Sequence, residues 1–346
     1  MINQIKEIID RCFQENPCRA DVRYNEPMKE HTTFKVGGPA DCWVSPDSGG
    51  FPLFCAGLLK HARKENIPLF IAGGGANIVV SDKGIRGIVL DTNSWTSVRT
   101  SSAENFDSGF ANENELTLKS GTSIDEASGA AAAYGFSGME FLAGMPGTIG
   151  GAVWMNARCY GKEIADVLKS VEIIVREQGT ENKDQLTENG YVIKRAEISG
   201  KRIINSRFSA MSSFAYKQSP FQEMDCLILS ASFSLKKGDK ENILIQMEKN
   251  RKDRQDKGHY LFPCAGSVFK NNPQFGKPAG LIIDELGLKG LKKGGAQIAP
   301  FHGNIIINNG NASASDIRSL VDEITRRVKE AAGFVLEPEI IFAGQW

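Results

Sequence analysis

What this chain lacks removes several classes of protein at once. No Cys-x-x-Cys pair occurs among its seven cysteines, Cys12, Cys18, Cys42, Cys55, Cys159, Cys226 and Cys264. They are scattered and odd in number, which fits reduced thiols and points away from a disulfide framework. Only four histidines are present, none paired at ligand spacing, so no metal site is expected. Charge of one sign is missing as well. The 41 Lys and Arg balance the 41 Asp and Glu, leaving no footprint for nucleic acid or an anionic membrane surface. No apolar run is long enough to span a bilayer. The opening Met1-Ile-Asn-Gln-Ile-Lys-Glu7 has no basic region leading into an apolar core, so no signal peptide is expected and the setting reads as cytoplasmic. Neither a Walker loop nor G-x-G-x-x-G opening a helix is found.

What is there is glycine, concentrated. The length of 346 residues suggests about two to three domains, and the apolar and charged fractions are those of a globular protein. From Gly144 to Gly161, five glycines and Pro146 bracket the apolar run Ala152-Val-Trp-Met155. Glycine allows close backbone approach and positive φ, and successive turn N–H groups form anion-binding concavities. The stretch reads either as a loop that wraps phosphates, anchored by a short buried segment, or as tight turns without a ligand. A second cluster, Gly73-Gly-Gly-Ala-Asn77, follows the apolar Pro68-Leu-Phe-Ile-Ala72 and precedes Ile78-Val-Val80. Its context is loop to strand, so the helix-dipole phosphate site of a Rossmann fold is not indicated, while a backbone nest is compatible.

The rest of the chain alternates helical and extended patterns. Ile2, Ile5, Ile8, Ile9 and Phe13 share one helical face, and residues 53–64 form a second helix with Leu53, Leu58, Leu59 and Ala62 inward. Ser123-Ile-Asp-Glu126 is a capping box before an alanine-rich helix stopped by Gly135. Residues 84–92 and 167–175 are strand candidates, 93–116 a hairpin or loop excursion, and 177–202 a polar surface excursion. Residues 205–222 are turn-rich, 226–233 a strand, and 236–257 a charged helix. The last third is compact: a turn into a strand over 263–271, a helix from Pro278 to Gly287, and a strand from Ile305. Ser313 then caps a helix ended by Gly333. The closing strand, 335–342, puts Glu337 and Glu339 on one face, and Pro338 makes it an edge strand or a bulge.

Six stretches, in order and spread over nearly the whole chain, resemble the UDP-N-acetylenolpyruvoylglucosamine reductase family. They are His31-Thr-Thr-Phe-Lys-Val-Gly-Gly-Pro-Ala40, Gly73 to Asn77, and Gly144 to Ala152 with Asn156. The others are Ala265-Gly-Ser-Val-Phe-Lys-Asn271, Gly287 to Ala296, and Leu336-Glu-Pro-Glu339. The resemblance implies an α+β fold: a two-subdomain FAD-binding fold of the vanillyl-alcohol-oxidase (PCMH) type plus a C-terminal α+β substrate domain. The implied division is 1–95, 96–235 and 236–346. It further implies a flavoenzyme of peptidoglycan precursor synthesis with non-covalent FAD, NADPH as hydride donor, and UDP-N-acetylglucosamine enolpyruvate as substrate. No nucleic-acid or membrane partner is expected, and the oligomeric state is open, with a monomer as the expectation. The chain matches the family's shorter form, without the extra substrate loop.

By the same resemblance Gly73, Gly74, Gly75, Ala76, Asn77 and Ile78, with Pro146, Gly147, Thr148, Gly150, Gly151, Ala152 and Asn156, hold FAD. Backbone donors there would answer two phosphates without a basic cluster. Ser267 matches the proton donor, where a turn serine bonding its own backbone is the alternative. Glu339 matches the acidic partner, with Glu337 on the same face as the alternative. The family's Tyr-Arg pair is replaced by Tyr216-Lys217, which keeps the charge and loses the bidentate fork. Either Lys217 or Arg158 then takes the cationic role. Tyr216, Lys217, Lys270 and Asn271 are carried over as substrate contacts. His302 lines the same pocket or caps a strand end, and His31 is structural.

Overall fold

A computed structural model of the chain describes residues 1–47, 49–100, 114–176, 190–205 and 213–346. The chain divides into two compact units. The first comprises residues 1–23, 43–74 and 87–251; the second comprises 24–42, 75–86 and 252–346. The α+β class expected from the sequence is the one found.

The first unit is built on a six-stranded antiparallel sheet. Its order is Arg202–Ile203, Tyr191–Ser199, Leu168–Arg176, Cys226–Ser234, Glu115–Lys119, Val98–Thr100. Alternate residues of the central strands, such as Val171, Ile173, Ala231 and Phe233, enter the core. The helix Ile124–Ala133 brings Ile124, Ala127 and Ala131 onto it, and Ile149–Met155 brings Ile149, Ala152 and Val153. Small residues on the first helix allow the close packing its sequence implied. Ser123 caps it, accepting the Glu126 N–H at 3.2 Å. A shorter parallel pairing sets Leu69–Ala72 against Ile88–Asp91.

The second unit packs Ala279–Glu285 and Ala314–Ala332 over the strands Lys292–Lys293, Ala296–Ile298 and Ile306–Asn308, and beside the parallel pair Ile78–Val80 and Ile341–Ala343. The long helix carries a full capping box. Ser313 Oγ accepts the Asp316 N–H at 3.0 Å, and Asp316 accepts the Ser313 N–H at 2.9 Å. Gly333 ends it in the left-handed region at φ 80°.

Several local expectations are corrected. Leu53 is 37% exposed. The helix begins at Phe51, and the period from that residue buries Phe54, Cys55, Leu58, Leu59 and Ala62 instead. Ile2 opens its helix and is exposed, while Ile5, Ile8, Ile9 and Cys12 are buried. The expected surface excursion over 177–202 contains a nine-residue strand, Tyr191–Ser199, paired along Leu168–Arg176. Its charged outward positions masked the alternation. Residues 177–189 and 101–113, parts of two expected excursions, lie outside the described residues. The apolar run after the central glycine loop is a helix, Ile149–Met155. The closing strand shrinks to Ile341–Ala343, since Pro338 has no N–H to carry a ladder through.

Candidate functional site

Two glycine turns meet within the first unit. Gly73 and Gly74 leave the strand Leu69–Ala72. A Cβ on Gly73 would lie 2.5 Å from Thr148 Oγ1, and one on Gly74 2.8 Å from Gly147 Cα. Only glycine allows that approach. The second turn is fixed from behind. Ile124 N–H donates to Gly147 O at 3.0 Å, Ile149 N–H to Thr122 O at 2.9 Å, and Gly150 N–H to Ser120 O at 2.8 Å. Thr148 Oγ1 accepts the Gly151 N–H at 3.5 Å. Among the described residues, no protein acceptor takes the N–H of Gly74 or Gly147. Two anchored turns with spare main-chain donors fit the diphosphate of a dinucleotide such as FAD. Pro146 and Gly151 are exposed, whereas the Ala152 side chain belongs to the core.

The remainder of the first glycine cluster belongs to the second unit. Gly75, at φ 63°, passes so close to the His31 carbonyl that a Cβ would lie 2.0 Å from its oxygen. Its own carbonyl accepts the Thr33 N–H at 3.1 Å. Ala76 is half-buried. Asn77 donates its side-chain amide to Glu339 O at 3.0 Å, and its carbonyl accepts the Ile341 N–H at 2.9 Å. Ile78 opens the strand Ile78–Val80. His31 is hydrogen-bonded to Glu26 at 2.9 Å, which suits a structural residue.

Asn156 is fully buried and sits at φ 45°, a conformation asparagine tolerates better than most residues. Its Nδ2 donates to Ala215 O at 2.8 Å and its Oδ1 accepts the Ala165 N–H at 3.1 Å. The side chain is therefore spent on holding a turn. That turn runs Ala215 to Gln218, closed by reciprocal main-chain bonds of 3.1 and 3.0 Å, with Tyr216 and Lys217 at its corners. Phe214 and Phe221 drive its two ends into the core. Lys217 adopts φ 57°, which costs a non-glycine residue on the order of 1 kcal/mol. Arg158, exposed, lies with its guanidinium 5.4 Å from the Tyr216 ring centroid, within cation–π range. The structure thus sets Arg158 on the ring of the tyrosine that precedes Lys217 in the chain. Replacing Asn156 with alanine strands the buried Ala165 N–H and removes a bond to the Ala215 carbonyl, and should destabilise the protein by about 1–3 kcal/mol. Urea unfolding checks this; an unchanged midpoint would contradict the clamp.

Ser267, Asn271 and His302 line a single cavity of about 330 Å³ in the second unit, together with Asp284, Lys289, Phe301 and Asn304. Asp284 and Lys289 form an ion pair at 2.8 Å. Asn271 Oδ1 accepts the Ala279 N–H at 2.9 Å, which fixes its amide at the start of the helix Ala279–Glu285. His302 Nδ1 accepts the Asn304 N–H at 3.1 Å, so the neutral ring carries its proton on Nε2. Burial holds the His302 pKa below the usual histidine value. Neighbouring His259, its ring centroid 6.3 Å away, is pushed down to about 4, chiefly by burial and then by Arg254.

Glu339 lies on the segment beside Ser267. Its N–H donates to Val268 O at 2.7 Å, and Lys270 N–H donates to Glu337 O at 2.9 Å. Phe269 and Pro338 form the bridge between them. Lys270, carried over as a substrate contact, pairs with the exposed Glu337 at 2.5 Å. The expected strand over 263–271 does not form. Ser267 bridges Ile305 while Phe269 bridges Pro338, so neighbouring residues serve different partners. Sequence reasoning missed Asp284, Lys289 and Asn304. Nothing in the local sequence sets Asp284 and Lys289 apart from surface charges. The only hint at Asn304 is its place beside Gly303, where a Cβ would lie 2.3 Å from Gly280 O.

No helix among the described residues is long and apolar enough to cross a membrane. Comparison with known proteins identifies two regions. Residues 55–183 match the FAD-binding domain family, and residues 256–343 match the C-terminal domain of UDP-N-acetylenolpyruvoylglucosamine reductase. The reductases of that name from Treponema denticola and Treponema pallidum are 37% and 36% identical. They align over 96% and 94% of this chain and 96% and 95% of their own lengths. The one from Caldanaerobacter subterraneus is 35% identical over 100% of this chain and 98% of its own. A crystal structure of UDP-N-acetylenolpyruvylglucosamine reductase from Thermus caldophilus superposes with a TM-score of 0.65 at 29% identity. That match covers 94% of this chain and 99% of the other.

Proposed function

The chain belongs to the UDP-N-acetylenolpyruvoylglucosamine reductase family, and on that premise we propose that it reduces UDP-N-acetylglucosamine enolpyruvate to UDP-N-acetylmuramate with NADPH, for peptidoglycan precursor synthesis. It is an FAD-dependent oxidoreductase acting on an enolpyruvyl group. Bound FAD would supply hydride transfer from NADPH to the methylene carbon of the enolpyruvyl ether. The main-chain donors of the two glycine turns hold its diphosphate without covalent attachment. We read the chain as three parts, 1–95 and 96–235 for the cofactor and 236–346 for the substrate. We place the enzyme in the cytoplasm as a monomer.

Hydride addition to the methylene carbon leaves negative charge, enolate-like, on the neighbouring carbon and the carboxylate. Ser267 supplies the proton that this carbon requires. A serine hydroxyl is a weak acid, so its contribution depends on placement and on the charge developing beside it. Glu339 is the acidic partner. Lys217 stabilises the developing charge as a point charge, Arg158 being the second candidate. Asn271, His302, Lys270 and Tyr216 bind the substrate, with His302 donating through Nε2.

The observation that supports the reading is the cavity in which the Ser267, Asn271 and His302 side chains converge. The purified protein should be yellow and should release FAD on acid denaturation. NADPH should bleach it without oxygen, and the enolpyruvyl ether should restore the colour. A colourless protein that takes up no FAD would overturn the reading. Lys217→Ala should slow only the recovery of colour, by about a hundredfold, as for loss of one donor to a developing anion. An unchanged rate would hand the role to Arg158.

A further inference from the structure

Ser267 sits on a segment with no continuous strand on either side. Val268 and Phe269 nevertheless have all four main-chain groups satisfied, and three of the four partners are provided by Asn304. Its carbonyl accepts the Val268 N–H at 2.9 Å. Its Oδ1 accepts the Phe269 N–H at 2.9 Å, and its Nδ2 donates to Phe269 O at 2.9 Å. The side-chain amide thus stands in for a peptide group, replacing a missing rung of β-ladder. The fourth partner is the Glu339 N–H on Val268 O.

Asn304 is itself immobilised. It is only 3% exposed. Its N–H donates to His302 Nδ1 at 3.1 Å, and a Cβ on Gly280 would lie 3.3 Å from its Cβ. No other side chain does this work in the same space. Leucine matches the volume and strands both Phe269 groups. Aspartate keeps the acceptor and loses the donor. Glutamine is longer by a methylene in a packed site.

We propose that Asn304 is a positioning residue for proton transfer, fixing the Ser267 hydroxyl by clamping the Val268–Phe269 backbone between itself and Glu339. The inference rests on Ser267 being the proton donor. A displacement on the order of 1 Å at such a group can cost roughly a hundredfold in rate.

The test uses anaerobic single turnovers of the full-length, FAD-loaded protein, with rates expressed per bound flavin. Asn304→Leu should leave flavin reduction by NADPH within about twofold of wild type and slow reoxidation by the enolpyruvyl ether roughly a hundredfold. Added to Ser267→Ala, it should cost nothing more, because its effect passes through the hydroxyl already removed. If Asn304→Leu does not fold, Asn304→Asp takes its place, with the same pattern and a loss of about tenfold. An unchanged reoxidation rate, or losses that multiply in the double variant, would overturn the positioning role while Ser267 stood. If Ser267→Ala alone had no effect on reoxidation, the donor assignment itself would fail.

Discussion

Ser267→Ala should reduce its flavin with NADPH at the wild-type rate and reoxidise it with the enolpyruvyl ether about a thousandfold more slowly. A positioned proton donor contributes roughly a hundredfold to ten-thousandfold, and a serine beside a carbon that has just taken hydride falls in the middle of that range. Deleting one hydroxyl from a cavity of about 330 Å³ leaves room for water to act as a poorer donor, so the residual rate is slow rather than zero. Packing hardly changes, because the main chain around Ser267 is held through Val268, Phe269 and Ile305. Anaerobic stopped-flow absorbance of the flavin separates the two halves. Equal loss in both would remove Ser267 from its role.

Gly74→Val should yield a protein that folds but loses its flavin. A Cβ at Gly74 lands 2.8 Å from Gly147 Cα and 3.2 Å from its carbonyl carbon, both backbone atoms. Backbone that is itself bonded to Ile124 cannot turn aside as a flexible side chain would, so the two turns must part. Charge-assisted hydrogen bonds to a phosphate contribute about 1.5–3 kcal/mol each. Losing the donors of both turns weakens FAD binding by about 3 kcal/mol or more, at least roughly a hundredfold. Gly129→Ala is the matched control. It lies mid-helix with nothing near the new methyl, and alanine favours the helix. The ratio of visible flavin absorbance to protein absorbance after gel filtration reads the result. Full flavin occupancy in Gly74→Val would show that the turns do not hold the cofactor.

The sequence exposed those parts of the fold whose physics is local. Ser123, Ser313 and Gly333 announced helix ends, and each makes the cap its residue type allows. The glycine clusters were visible as close approaches, although only the structure shows that Gly74 meets Gly147. Less local features stayed hidden. Tyr191–Ser199 reads as a polar loop because its strand is stabilised by pairing with Leu168–Arg176, a neighbour that composition does not reveal. At the site, Ser267 and Asn271 stood out by motif, and with His302, for which a strand-end role stayed open, they line one cavity. Asn156 and Asn304 work through burial and main-chain bonds. Nothing in an isolated asparagine codon distinguishes such a clamp from a surface amide. Lys270 shows what a motif leaves out, since a residue carried over for an anionic ligand also pairs with the exposed Glu337.

In the proposed reaction electrons pass from NADPH to an enolpyruvyl ether and nowhere else. The direct measurement is the stoichiometry of NADPH consumed, ether lost and lactyl ether formed by the FAD-loaded protein, with hydrogen peroxide followed in parallel. One ether should be reduced for each NADPH oxidised, NADPH consumption without the ether should stop at about one equivalent per bound flavin, and no peroxide should rise above background. NADPH oxidation that runs on without the ether and ends in peroxide would mark an oxidase and contradict the proposed reaction.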